Sequence, residues 1–131
     1  GSFEIKNSNI SGATNDGLWI TGGNYDHKIE NCIFQDNYTG VFVGSSVRVL
    51  IDDSEFISNS YRGIEKQDGG SLDVSNSLFQ NTGYQAIYID GGSAYTIDNC
   101  EFSGNSFGFF NDNLVIFFWD FSHLDVCFTR C

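Results

Sequence analysis

Within the seven residues Arg62-Gly63-Ile64-Glu65-Lys66-Gln67-Asp68 the chain gathers Arg62, Glu65, Lys66 and Asp68, its densest run of side chains able to do chemistry. A carboxylate beside a lysine and an arginine can transfer a proton and neutralise the negative charge that develops on a substrate. Tyr88 and Asp90 stand 23 and 24 residues after Glu65 and Lys66. They join the cluster if the chain turns back on itself at that interval. Ordinary pairing of surface charges accounts for the same residues. What separates the two readings is whether a scaffold holds them together.

A second set recurs at the same interval. Two places after the small residues Gly17, Gly40, Gly63, Ala86 and Gly108 stand Trp19, Phe42, Glu65, Tyr88 and Phe110. If the apolar residue before each points inward, these point out. An exposed file of rings is a stacking platform, because sugars present apolar C–H faces. Trp19, Phe42, Tyr88 and Phe110, with Asp90 beside them, are therefore the substrate-contact candidates. Cover by turns or by a partner chain is the competing explanation for so many aromatics. A third column is acidic: Glu30, Asp52, Ser75 and Asp98 recur in step, with Asp73 nearby. Stacked carboxylates repel. Bound Ca²⁺ would relieve this through Asp52, Asp73 and Asp98, as would water and salt, and no other cofactor is suggested.

The element that must position these columns is a repeat. Asn7-Ser8-Asn9-Ile10, Asn31-Cys32-Ile33-Phe34, Asp53-Ser54-Glu55-Phe56, Asn76-Ser77-Leu78-Phe79 and Asn99-Cys100-Glu101-Phe102 end 24, 22, 23 and 23 residues apart. Two residues before each unit stands Ile5, Ile29, Ile51, Val74 or Ile97. Each period thus holds at least two short strands with inward and outward alternation. One period cannot bury its own apolar face, but stacked periods can, because like residues then lie above one another. The Asn column is expected to form a side-chain amide ladder, interrupted by Asp53. A β-sandwich leaves the fixed interval unexplained, and a leucine-rich repeat would place Leu where Ile, Val and Phe stand.

In this layout the chain resembles the right-handed parallel β-helix repeat family, the pectate-lyase-like superfamily, over about residues 3–111. The resemblance rests on Gly40-Val41-Phe42-Val43 leading to Ile51-Asp52-Asp53-Ser54-Glu55-Phe56. It implies an all-β, right-handed parallel β-helix solenoid of about five coils. In polysaccharide lyases and epimerases of that family, groups on one strand face abstract a proton and neutralise a uronate. No family catalytic motif matches residue by residue, so no role is carried over. Residues 112–131, with Leu114-Val115-Ile116-Phe117-Phe118-Trp119, abandon the repeat and are expected to be an irregular tail. It is either a cap on the open coil end or a segment foreign to the fold. Gly1-Ser2, without an initiator Met, reads as the start of an excised piece or a tag remnant, so the chain is expected to be a fragment.

Composition narrows the partners. Seventeen acidic against six basic residues, a net charge of −11, oppose binding to nucleic acid or to an anionic bilayer. No apolar run reaches the eighteen or more residues that a membrane span requires. Cys32 and Cys100 share a column three coils apart, on the order of 14 Å, which a disulfide cannot bridge. Cys127 and Cys131 could pair with each other, while His27 and His123 have no ligand partners at zinc spacing. Two sequons, at Asn9 and Asn37, would matter only in a secreted eukaryotic protein.

These features lead to an extracellular, cell-surface or periplasmic module that contacts polysaccharide or another glycan along the aromatic file. It would act alone or as a piece of a larger lyase, hydrolase or epimerase, with coil-end self-association as a further contact. The alternative is a structural or adhesive spacer without a ligand of its own. Whether the chain is itself catalytic stays open.

Overall fold

The computed structural model describes residues 1–90 and 92–111, together with the backbone of strands at 121–124 and 128–130. Each of five coils has three strands. They are β1 (Glu4–Lys6), β2 (Asn9–Ser11) and β3 (Asp16–Ile20); β4 (Asp26–Glu30), β5 (Ile33–Gln35) and β6 (Thr39–Val43); β7 (Arg48–Asp52), β8 (Glu55–Ile57) and β9 (Arg62–Lys66); β10 (Ser71–Ser75), β11 (Leu78–Gln80) and β12 (Gln85–Ile89); and β13 (Ala94–Asp98), β14 (Cys100–Ser103) and β15 (Phe107–Asn111). The first strands of the coils form sheet A, the second sheet B and the third sheet C, with parallel pairing between successive coils.

Register puts like on like. Ile5, Ile29, Ile51, Val74 and Ile97 are consecutive partners in sheet A. Ile10, Phe34, Phe56, Phe79 and Phe102 are consecutive partners in sheet B. The four Phe rings stack at centroid distances of 5.1, 4.8 and 5.1 Å and are fully buried. This column lies at the preferred separation for aromatic pairs and supplies much of the buried apolar area.

The corners explain the polar half of the repeat. Between sheets A and B the chain turns through Asn7, Asn31, Asp53, Asn76 and Asn99, with φ of 51°, 52°, 50°, 50° and 49°. Asn and Asp are the non-glycine residues that tolerate this left-handed conformation best. Asn31 Nδ2 donates to Asn7 Oδ1 at 2.7 Å, and Asn99 Nδ2 to Asn76 Oδ1 at 2.6 Å. Asp53 breaks the ladder, and Asn76 donates instead to Asp52 Oδ1 at 2.9 Å.

A second ladder, buried at the corner between sheets B and C, is absent from the sequence reading. The Oδ1 atoms of Asn37, Asn59 and Asn105 accept from the amides of Ala13, Asn37 and Thr82 one coil away, at 2.9, 3.1 and 2.9 Å. Their Nδ2 atoms donate to the carbonyls of Ile10, Phe34 and Phe79 at 3.1, 3.0 and 2.9 Å. Ala13 and Thr82 take the other two places, and the buried Thr82 hydroxyl has no partner. The sequon residue Asn37 is buried in this ladder.

The small-residue column has a steric cause. A Cβ on Gly40 would stand 2.6 Å from the Gly63 carbonyl oxygen, and one on Gly63 would stand 2.5 Å from that of Ala86. At the far end β16 (Phe121–Leu124) pairs antiparallel with β14, and β17 (Phe128–Arg130) with β13. The backbone edges of those two strands are therefore paired. The rest of the expected tail, including Cys127 and Cys131, lies outside the described residues, as do the side chains of His123 and Arg130.

The buried ladder is testable by thermal melting. Asn59→Ala strips partners from the Asn37 amide and the Phe34 carbonyl and is expected to cost roughly 2–3 kcal/mol. Thr82→Asn is expected to raise the midpoint, because its Oδ1 and Nδ2 would meet the Asn59 amide and the Phe56 carbonyl as the equivalent residues do. A lower midpoint for Thr82→Asn would refute this account of the ladder.

Candidate functional site

The outer face of sheet C carries the aromatic file. Trp19 is 67% exposed and stands edge-on to Phe42, with centroids 6.1 Å apart. Tyr88 and Phe110 lie on the far side of Glu65 and stack at 5.5 Å. Phe42, Tyr88 and Phe110 are half-buried. The file exists as a column, with its most open ring on the first coil.

At its centre β9 replaces an aromatic with Glu65 and sets Arg62 beside it. The Arg62 guanidinium pairs with Glu65 through Nη1 and donates from Nε to Gln85 Oε1 at 2.7 Å. Gln67 Nε2 donates to the other Glu65 oxygen at 3.0 Å. The guanidinium carbon lies 4.0 Å from the Tyr88 ring centroid, 4.5 Å from that of Tyr61 and 5.9 Å from that of Tyr84. Each side chain of the ion pair is only 11% exposed. A desolvated pair persists when its remaining donors and acceptors are satisfied, and here amides and ring faces supply the partners. Asp16 lies in the same row, one strand beyond Thr39. Burial first and the charge of Glu65 second hold its carboxyl above the usual range, against a hydrogen bond to Thr39.

A second aromatic column flanks this network at the corner between sheets B and C. Tyr38, Tyr61 and Tyr84 stack at 4.8 and 5.6 Å, and Phe107 meets Tyr84 edge-on at 5.4 Å. Tyr38 and Tyr84 are exposed. The signal for this column was available in the sequence, as a Tyr every 23 residues just before the third strand of coils two to four.

Of the residues around β9, the fold brings together Arg62, Glu65 and Tyr88 and separates Lys66, Asp68 and Asp90. Lys66 follows the alternation inward and is fully buried. Its ammonium donates to the carbonyls of Ser45 at 3.1 Å, Gln67 at 2.9 Å and Gly69. A lysine at an inward position must either bulge outward or find a partner, because an unpaired buried ammonium is costly, and three backbone carbonyls are that partner. Burial pulls its pKa down to about 8, with Asp90 and then Asp68 opposing. Asp90 supports the turn between sheets C and A. It accepts from the Asp68 amide at 2.8 Å, the Gly92 amide at 3.1 Å and the Ser93 hydroxyl at 3.1 Å. Asp68 is exposed, at φ 64°.

On sheet A the acidic column is interleaved with donors. Asp52 Oδ1 accepts from Ser75 Oγ at 2.9 Å as well as from Asn76, and Ser75 separates Asp52 from Asp98 in the register. Asp73 is half-buried on the same strand as Ser75, and Lys6 and Lys28 each lie 3.4 Å from Glu30. Among the described residues no group of three or more His, Cys, Asp or Glu is placed to hold a metal ion. Cys32 and Cys100 are buried free thiols, and burial pushes that of Cys100 up to about 11. His27 is buried too. It stacks on Phe3 at 4.1 Å and accepts from the Phe3 amide through Nδ1 at 3.2 Å. A groove of about 340 Å³ follows the corner between sheets A and B, past Asp53, Glu55 and Glu101, but no aromatic ring lines it.

Parallel three-strand coils, a stacked hydrophobic interior and an outer face carrying aromatic and charged rows define a β-solenoid. The chain belongs to the right-handed β-helix family, whose model, described as right handed beta helix region, matches residues 1–116. Neither the curated proteins nor the solved structures compared with it give a match. Among the described residues no helix is long and apolar enough to cross a membrane.

Lys66 sets a pH dependence of stability. Its folded pKa lies below the ordinary 10.5, so the unfolded chain binds more protons between those values and stability rises with pH there. The melting midpoint is expected to climb between pH 8 and pH 9.5, with at most about 3 kcal/mol available from this group over the full range. Lys66→Met should flatten the profile in that window. An identical slope in both proteins would show that Lys66 does not titrate there.

Proposed function

We propose that the outer face of sheet C is a polysaccharide-contact surface, and that the chain works outside the cell or in its envelope. One observation carries this reading: Trp19 presents an open ring at the head of a column continued by Phe42, Tyr88 and Phe110. Such a ring has little stabilising role within the fold, and it matches the C–H face of a sugar. Five coils span on the order of 20 Å, room for several sugar residues. Contact is favoured over catalysis, because Arg62 and Glu65 already spend their hydrogen bonds on each other and on Gln85 and Gln67.

Affinity electrophoresis through gels cast with soluble polysaccharides tests the reading. The protein is expected to be retarded by at least one polymer. Trp19→Ala should weaken that retention about tenfold, the loss of one stacking contact of roughly 1.4 kcal/mol, while leaving the melting midpoint unchanged. Retention that is the same in both proteins would remove Trp19 from the surface, and a spacer without a ligand would show none in either.

A further inference from the structure

We infer that this face takes a neutral polysaccharide rather than a uronate, and that Tyr38, Tyr61 and Tyr84 form its second wall. The inference rests on the reading of sheet C as a glycan surface and names the class of glycan.

A uronate needs a cation to meet its carboxylate, preferably a guanidinium with two free N–H groups. The chain has six Lys and Arg residues, and the five described side chains are all engaged. Lys6, Lys28 and Arg48 lie on sheet A and pair with Glu4, Glu30 and Asp26. Lys66 is sealed inside the solenoid against three carbonyls. Arg62 is the one described cation on the outer face of sheet C. Glu65 holds it, Gln85 occupies its Nε, and the rings of Tyr61 and Tyr88 cover the guanidinium. Asp16 adds a carboxyl to the same face, in a protein of net charge −11. That field repels polyanions and leaves neutral sugars unaffected.

The surface offers rings instead. Tyr38 stands just before β6 and Phe42 lies near its end, four residues or roughly 13 Å along the strand. Arg62 joins the corner tyrosines to the sheet by lying over Tyr61 and Tyr88 together. Its charge is thereby spent on orienting rings. The two aromatic rows flank a strip in which Thr39 and Gln85 are buried and engaged by Asp16 and Arg62. Ring faces on either side with a neutralised strip between them are what the surface presents, the complement of an uncharged glycan.

The full chain would be run at low ionic strength through gels containing β-glucan, galactomannan or xyloglucan, and through gels containing polygalacturonate or alginate, each with and without Ca²⁺. Retardation by one or more neutral polymers and by neither uronate is the expected result. Stronger retardation by a uronate overturns the inference while the polysaccharide-contact reading stands. No retardation by any of the five overturns both. Tyr38→Ala, at an exposed corner, is expected to weaken neutral-polymer retention about fivefold while the protein stays folded, the lost stacking on Tyr61 lowering the melting midpoint by only a few degrees. Undiminished retention by that variant would overturn the second wall.

Discussion

Everything in this protein follows from parallel backbone pairing between successive coils. Each strand hydrogen-bonds to the strand one coil before and one coil after, so residues about 23 positions apart are forced to within the interstrand spacing of about 4.8 Å. Whatever stands at one level must tolerate a near copy of itself directly above. Apolar residues satisfy this by stacking, as Phe34, Phe56, Phe79 and Phe102 do. Asn satisfies it because its amide both donates and accepts along the axis. Aspartate cannot, which is why Asp53 breaks its column and why Asp52, with Glu30 on one side, draws hydrogen bonds from Ser75 and Asn76 on the other.

The same rule shapes the outer face of sheet C. A single arginine inserted into a row of Asp16, Thr39, Gln85 and Phe107 has no like neighbour and must find its partner within its own coil. Glu65, three residues on, is that partner. The inserted charges are therefore neutralised locally, and the aromatic rows on either side close over them. Rings gather around the charges at the centre, where the pair is buried, while Trp19 on the first coil meets Phe42 edge-on and stays open.

The columns were legible in the sequence because in-register stacking makes period equal position. Ile5 to Ile97, Ile10 to Phe102 and Trp19 to Phe110 all fall where the spacing places them. Lys66 was also readable as a conflict between an inward position and a charge. Two things were not. The period marks the level of a residue but not which side of the wall it faces at a corner, so the buried Asn37, Asn59 and Asn105 were hidden behind the exposed Asn column. Nor does it tell how a cluster divides across the wall: Arg62, Glu65, Lys66 and Asp68 are contiguous in the chain, yet two face outward together, one is inside and one sits in a turn.

The carbonyl cage of Lys66 has a consequence for the history of the repeat. Solenoids lengthen and shorten by gain or loss of whole coils, and a run of interchangeable Ile and Val levels carries no memory of its order. The Lys66 ammonium draws its oxygens from the turn of its own coil and from the turn of the coil before it. A coil inserted or lost between those two turns would leave a charged group stranded in the interior unless the replacement turn offered an oxygen at the same place. The second and third coils are thereby linked as a unit, and the third has an address that its neighbours lack. Growth or trimming of the solenoid is directed away from that junction, toward its ends.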